Sequence, residues 1–196
     1  VCSSDLVLPA IGINLESGVA GDYPGIGPDE AQERLGGGPA IFLHDTSMLP
    51  SLKLRDLCIE VARAEDIPLQ FNVLSGYGQD GAMMQRSGGG APAINITVPT
   101  RYLHSHHGVI DRRDFDQAVR LVTALVRRLD AAIVEAMRIA LEDLRLLVEP
   151  SSAVPIAALL AGRIGAPGQR VGVIVSGGNV YLSVCPFLSG RTGPSP

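Results

Sequence analysis

The sequence predicts an α/β fold: a mixed sheet with flanking helices in a three-layer-like arrangement, plus a small helix–strand appendage toward the C-terminal end. Three observations predict it. Apolar residues alternate with smaller or polar ones over short runs, first at Ile11, Ile13 and Leu15, then at Ile67–Val73, then at Ile94, Ile96 and Val98. Other stretches carry apolar residues at helical spacing, as in Leu54, Leu57, Cys58 and Val61, or Phe115, Val119, Val122, Val126 and Leu129. Strand and helix patterns therefore follow one another along the chain, as they do where helices pack on a parallel or mixed sheet.

Each element has a local reason. Gly21-Asp22-Tyr23-Pro24-Gly25 ends the first strand with turn chemistry, and Asp22 reads as a turn former. Pro39–Leu43 (PAIFL) is a short buried strand, and His44-Asp45 marks its end rather than a metal motif. Ser51 is a plausible N-cap for the helix containing Leu54–Val61. Ile67, Leu69, Phe71 and Val73 form a strand, Gln79–Arg86 a short helix, and Ile94–Val98 a third clear strand. Asp111 or Asp114 caps the next helix, whose period continues from about Arg112 to Leu147. A run that long is unusual in a globular domain and is what two joined helices would produce. Pro150 interrupts, Ala153–Ala161 is apolar and helical, Val171–Val175 reads as a buried strand, and Ser189–Pro196 is Gly/Pro/Ser-rich and expected to be disordered.

Composition narrows the function classes. A chain of 196 residues with 46% hydrophobic content suits one medium domain, or one with an appendage. The net charge of −4 leaves no basic footprint, so no nucleic-acid partner is expected. Cys2, Cys58 and Cys185 are too few and too scattered for a disulfide framework or zinc ribbon, which fits a reducing cytoplasm. No apolar run is long enough to span a bilayer, and no secretion signal opens the chain, so no membrane role is expected.

Two sets of motifs resemble known families. GVAGDYPG (18–25), LGGGPAIFLHDTSM, KLRDLCIEVARAEDIPLQF, GYGQDGAMMQRSGGGAPAINITVPTRYLHS and DRRDFDQAVRLVTALVRRLD together resemble the C-terminal half of the M42 metallo-aminopeptidases, which are deblocking or glutamyl aminopeptidases also described as endoglucanase-like. The resemblance implies a partial metallopeptidase catalytic domain with a divalent metal, zinc or cobalt, and a peptide substrate. It also implies a homo-oligomer, dodecameric in intact relatives. It puts metal ligands at Glu16 and His104 and makes Asp80 a candidate for the substrate pocket. The family's H-x-D, D-D-x-x-G and E-E-x-G patterns, which carry the other ligands and the glutamate base, are absent. The resemblance therefore implies an inactive fragment and assigns no catalytic residue. His106 and His107 read as solvated loop residues.

The stretch Ile133–Leu182 resembles the end of pyridoxal-phosphate threonine or serine dehydratases through EAMRIALEDLRLLVEPSSAV, ALLAGRI and RVGVIVSGGNV. That resemblance implies pyridoxal-phosphate contacts at Ser176 and Glu149. The S-F-K-x-R-G segment that would supply the Schiff-base lysine is missing, and Lys53 is the only lysine. Ser87–Gly90 is a connecting loop rather than a phosphate cradle. Val1–Leu6 resembles a translated sequencing-adapter end. The expected organisation is thus a scar at 1–6, a metallo-aminopeptidase segment at 7–131, a dehydratase-like segment at 132–184 and a disordered tail at 185–196, the whole being a chimera.

Overall fold

The computed structural model describes residues 11–148, 150–162 and 169–173. The expectations for residues 1–6, for Glu149, for Ser176 and for 185–196 lie outside the described residues. The chain divides into two compact units, Val1–Leu125 and Val126–Pro196.

The first unit is built on a four-stranded sheet with strand order β1-β4-β2-β3, namely β1 (Gly12–Val19), β2 (Ala40–His44), β3 (Gln70–Val73) and β4 (Ala93–Thr100). β4 runs parallel to β1 and antiparallel to β2, and β2 runs parallel to β3, so the sheet is mixed as expected. Ile94 and Ile96 on β4 are fully buried, as are Ile41 and Phe42 on β2. β4 is central and buried along both faces, with Ile94 and Ile96 on one and the hydrogen-bonded Asn95 and Thr97 on the other.

Three helices flank this sheet: α1 (Leu52–Ala64), α2 (Gly81–Arg86) and the start of α3 (Arg112–Glu142). Leu54, Cys58 and Val61 of α1 are buried, matching the expected apolar face. Ser51 occupies the cap position of α1 without a side-chain bond; its backbone N–H donates to the Ala93 carbonyl at 2.9 Å. On β1, a side chain at Gly12 would press on Met84 of α2, whereas Leu15 faces Phe115 and Val119 of α3. Because strand side chains alternate, α2 and α3 lie on opposite faces of β1.

Of the two candidate caps, Asp111 fills that role, accepting from the Arg113 N–H at 2.8 Å. Asp114 instead turns inward, fully buried, and accepts from the N–H groups of Gly36 (2.7 Å) and Gly38 (2.8 Å).

In three elements the inward face differs from the one their apolar residues suggest. β1 buries Gly12, Asn14 and Gly18, leaving Leu15 57% exposed. β3 buries Asn72 and exposes Phe71 and Val73. The first turns of α3 bury Asp114, Ala118, Leu121 and Leu125, while Phe115 (45%) and Val119 (51%) stay exposed. The physical reason is shared: polar partners inside the fold set the phase. Asn14 bonds Asn95, Asn72 bonds Glu33, and Asp114 bonds the glycine loop.

The second unit holds the rest of α3 and α4 (Pro150–Leu160). Its core gathers Ala136, Met137, Ala140, Val148, Ala153 and Ile156. α3 is one helix of 31 residues with no interruption, and it ends near Glu142 rather than Leu147. Arg145 takes a positive φ of 60°, and the Leu146 N–H closes the end on the Ala140 carbonyl at 2.8 Å. Val171–Val173, expected to open a strand, run as irregular chain with Val171 exposed, because no strand among the described residues pairs with them.

Candidate functional site

The parallel pairing of β1 with β4 brings two sequence motifs to one end of the sheet. The register sets Glu16 beside Thr97 and Val19 beside Thr100. The Ala20 N–H then donates to the Thr100 carbonyl at 3.1 Å, carrying the ladder one step past both strands. Beyond it lie the 21–25 turn and the loop bearing His104. Glu16 is half-buried, and its Oε1 accepts a long bond (3.5 Å) from Asn14 Nδ2. Asn14 also donates to Asn95 Oδ1 (3.1 Å), and Asn95 donates to Asp45 Oδ2 (3.2 Å), so a buried amide chain backs this carboxylate. Asp45 is itself held by Ser47 and Met48, in keeping with the loop role expected for it.

His104 is exposed, with φ at 62°, and Tyr102 has φ at 59°. Both fall in the left-handed region that residues with a side chain seldom occupy. Arg101 pairs with Val109 across the base of the loop. His106 and His107 are exposed, and the His107 N–H donates to Ser105 Oγ at 3.2 Å. Asp22 does more than form a turn. Its two oxygens accept from Arg101 Nε (2.8 Å) and Nη2 (2.7 Å), and this hydrogen bonding lowers its pKa below the usual carboxylate value. Asp80 is exposed at the start of α2. Among the described residues, no three His, Cys, Asp or Glu side chains converge to hold a metal ion.

Two site residues escape sequence reasoning. Glu33 is fully buried, and its Oε1 accepts from Asn72 Nδ2 (2.8 Å) and Thr97 Oγ1 (2.9 Å). No donor among the described residues reaches Oε2, which lies against Gly18, where any Cβ would overlap it. Desolvation raises the Glu33 pKa from 4.5 to about 7 against those two donors, with Asp114 adding repulsion. Tyr77 stacks on Phe42 with ring centroids 5.9 Å apart and donates its hydroxyl to the Ser17 carbonyl at 3.3 Å. Burial, then the charges of Glu16 and Glu33, raise its pKa. Neither residue sits in a periodic pattern, and a glutamate in EAQERLGGGP looks like surface, so no sequence signal announces them.

The open mixed sheet with flanking helices is the α/β architecture of solved aminopeptidases. The M42 glutamyl aminopeptidase family model matches residues 2–121, more than half of the chain, and the chain belongs to that family. FrvX of Escherichia coli (strain K12) is 34% identical over 134 residues, covering 68% of this chain and 38% of that protein. The TET aminopeptidase from the marine sediment archaeon Thaumarchaeota archaeon SCGC AB-539-E09 superposes with a TM-score of 0.63 at 40% identity, over 65% of this chain and 35% of that one. The β-hydroxyaspartate dehydratase of Paracoccus denitrificans (strain Pd 1222) is 52% identical over 58 residues, 30% of this chain and 18% of that protein. The chain thus spans well under half the length of each relative. No helix among the described residues is long and apolar enough to cross a membrane.

Proposed function

We propose that residues 7–131 are the C-terminal part of a metal-dependent aminopeptidase domain acting on the N-terminal residues of peptides. Glu16 and His104 are this chain's contributions to its metal centre, and Asp80 borders the substrate. The observation that carries the reading is the β1–β4 register, which sets the Glu16 strand and the His104 loop at one end of the sheet in a chain of the M42 family. A carboxylate and an imidazole suit zinc or cobalt.

The fit is partial. A dinuclear centre holds two cations about 3.5–4 Å apart, and one carboxylate with one imidazole is too small a donor set to enclose both. The 196-residue chain is therefore expected to take up a divalent ion weakly and to leave Leu- and Glu-p-nitroanilide uncleaved. The oligomer implied by the resemblance belongs to the same reading.

Zinc and cobalt titration by calorimetry tests it. Weak uptake by the unmodified chain, lost in His104→Ala and in Glu16→Gln, is the expected result. Equal uptake in both variants overturns the ligand assignment, and metal-dependent p-nitroanilide hydrolysis overturns the inactivity.

A second reading is favoured by the dehydratase similarity over 58 residues. It makes residues 132–184 a piece of a pyridoxal-phosphate dehydratase joined to the peptidase segment, with Ser176 and Glu149 as the cofactor contacts. Lys53, the only lysine, is exposed on α1 of the first unit, so the described residues do not fit a Schiff-base pocket. Source-DNA reads crossing codons 129–137 without a break would remove the join.

A further inference from the structure

We infer that Asp22 is a positioning residue: through its paired bonds to Arg101 it fixes the left-handed loop that carries His104 against the end of the sheet. Three observations support this. First, the loop holds two residues with side chains, Tyr102 and His104, at positive φ (59° and 62°), a conformation that persists only where surroundings impose it. Second, the loop's own bonds are few and exposed. Arg101 and Val109 exchange two backbone bonds across its base (2.9 and 3.1 Å). Within it, however, only the Ser105 N–H donates to the Tyr102 carbonyl at 3.1 Å and Ser105 Oγ and His107 bond each other, and His104–Ile110 all lie at the surface. Third, the contacts from outside come from the 21–25 turn. Asp22 accepts from Arg101 Nε and Nη2 in the planar two-point geometry that only a guanidinium offers. The neighbouring Tyr23 ring meets Tyr102 with centroids 5.1 Å apart. Asp22 Oδ2 also accepts from the Leu35 N–H at 3.1 Å, so the carboxylate is anchored before it holds Arg101.

Asp22 touches no candidate ligand, so it acts on His104 only through Arg101 and the backbone. The clamp stands on geometry alone; its bearing on metal uptake rests on the reading given above.

Backbone 15N relaxation on the full chain tests the clamp. Order parameters of Tyr102–Ser105 are expected near ~0.85 in the unmodified chain and below ~0.6 in Asp22→Asn and Arg101→Lys, with Ile94 and Ile96 on β4 unchanged. Arg101→Lys keeps the charge and removes the fork, so it decides the matter should Asp22→Asn fail to fold. The double variant should loosen the loop no further than either single one, as for two halves of one contact. Unchanged loop order in Arg101→Lys overturns the proposal. Zinc titration of the same samples separates the two readings. A drop in affinity of about tenfold or more in the variants supports positioning. A loosened loop in a protein whose unmodified form takes up no zinc supports the clamp and overturns the metal reading.

Discussion

At the scale of single residues, Glu33 and Gly18 make the strongest demands. Folding raises the Glu33 pKa from 4.5 to about 7, so the folded chain keeps a proton that the unfolded chain has already released. Stability from this group is complete below about pH 4.5 and is lost as pH rises through about 7, by roughly 3 kcal/mol in all. Urea unfolding between pH 5 and 8 should show that decline, and Glu33→Gln should flatten it. An equal slope in the variant would assign the effect to another group. Asp22 works in the opposite direction: Arg101 lowers its pKa, so its contribution is present at neutral pH and fades only in acid. Gly18→Ala forces a methyl onto Glu33 Oε2 in a fully buried contact. A loss of about 1–3 kcal/mol is expected from such overpacking, read as a lower urea midpoint. An unchanged midpoint would show that Glu33 can move aside.

At the scale of elements, α3 carries two apolar stripes, and packing uses one of them. Leu121→Ala should lower stability by about 2–5 kcal/mol because Leu121 is fully buried. Val119→Lys, on the neighbouring stripe, should change it by less than about 0.5 kcal/mol. Reversed magnitudes would mean that the helix is rotated. This pair also shows what the sequence could reveal. Helical spacing located α3, and alternation located β1, β3 and β4, because those periods are properties of the backbone. Facing was not legible on β1, β3 or α3. There the inward side is chosen by Asn14, Asn72 and Asp114, whose partners lie 81, 39 and 76–78 residues away. Of the candidate site, motifs singled out Glu16, His104 and the turn after β1, and the structure sets that strand and that loop at one end of the sheet. Glu33, Tyr77 and the tie from Asp22 to Arg101 were not, since each exists only once distant segments meet.

At the scale of the first unit, the uncovered stripe and the sheet edge coincide. Leu15, Val98, Phe115, Val119 and Val122 line a cleft of about 520 Å³ beside β1, which among the described residues is an edge strand of the sheet. An unpaired edge next to exposed apolar surface invites association between chains. The chain should therefore self-associate in sedimentation as concentration rises. Leu15→Lys combined with Val119→Lys should suppress this without lowering the melting temperature, and unchanged association would place the contact elsewhere. The pairing of β1 with β4 adds a cost in time. Gly12 leaves the ribosome 81 residues ahead of Ala93, its partner in the register. At ~5–20 residues per second, the nascent first strand waits on the order of several seconds for its mate. Through that interval its backbone edge stays open to other chains, the kind of exposure that chaperones counter in general.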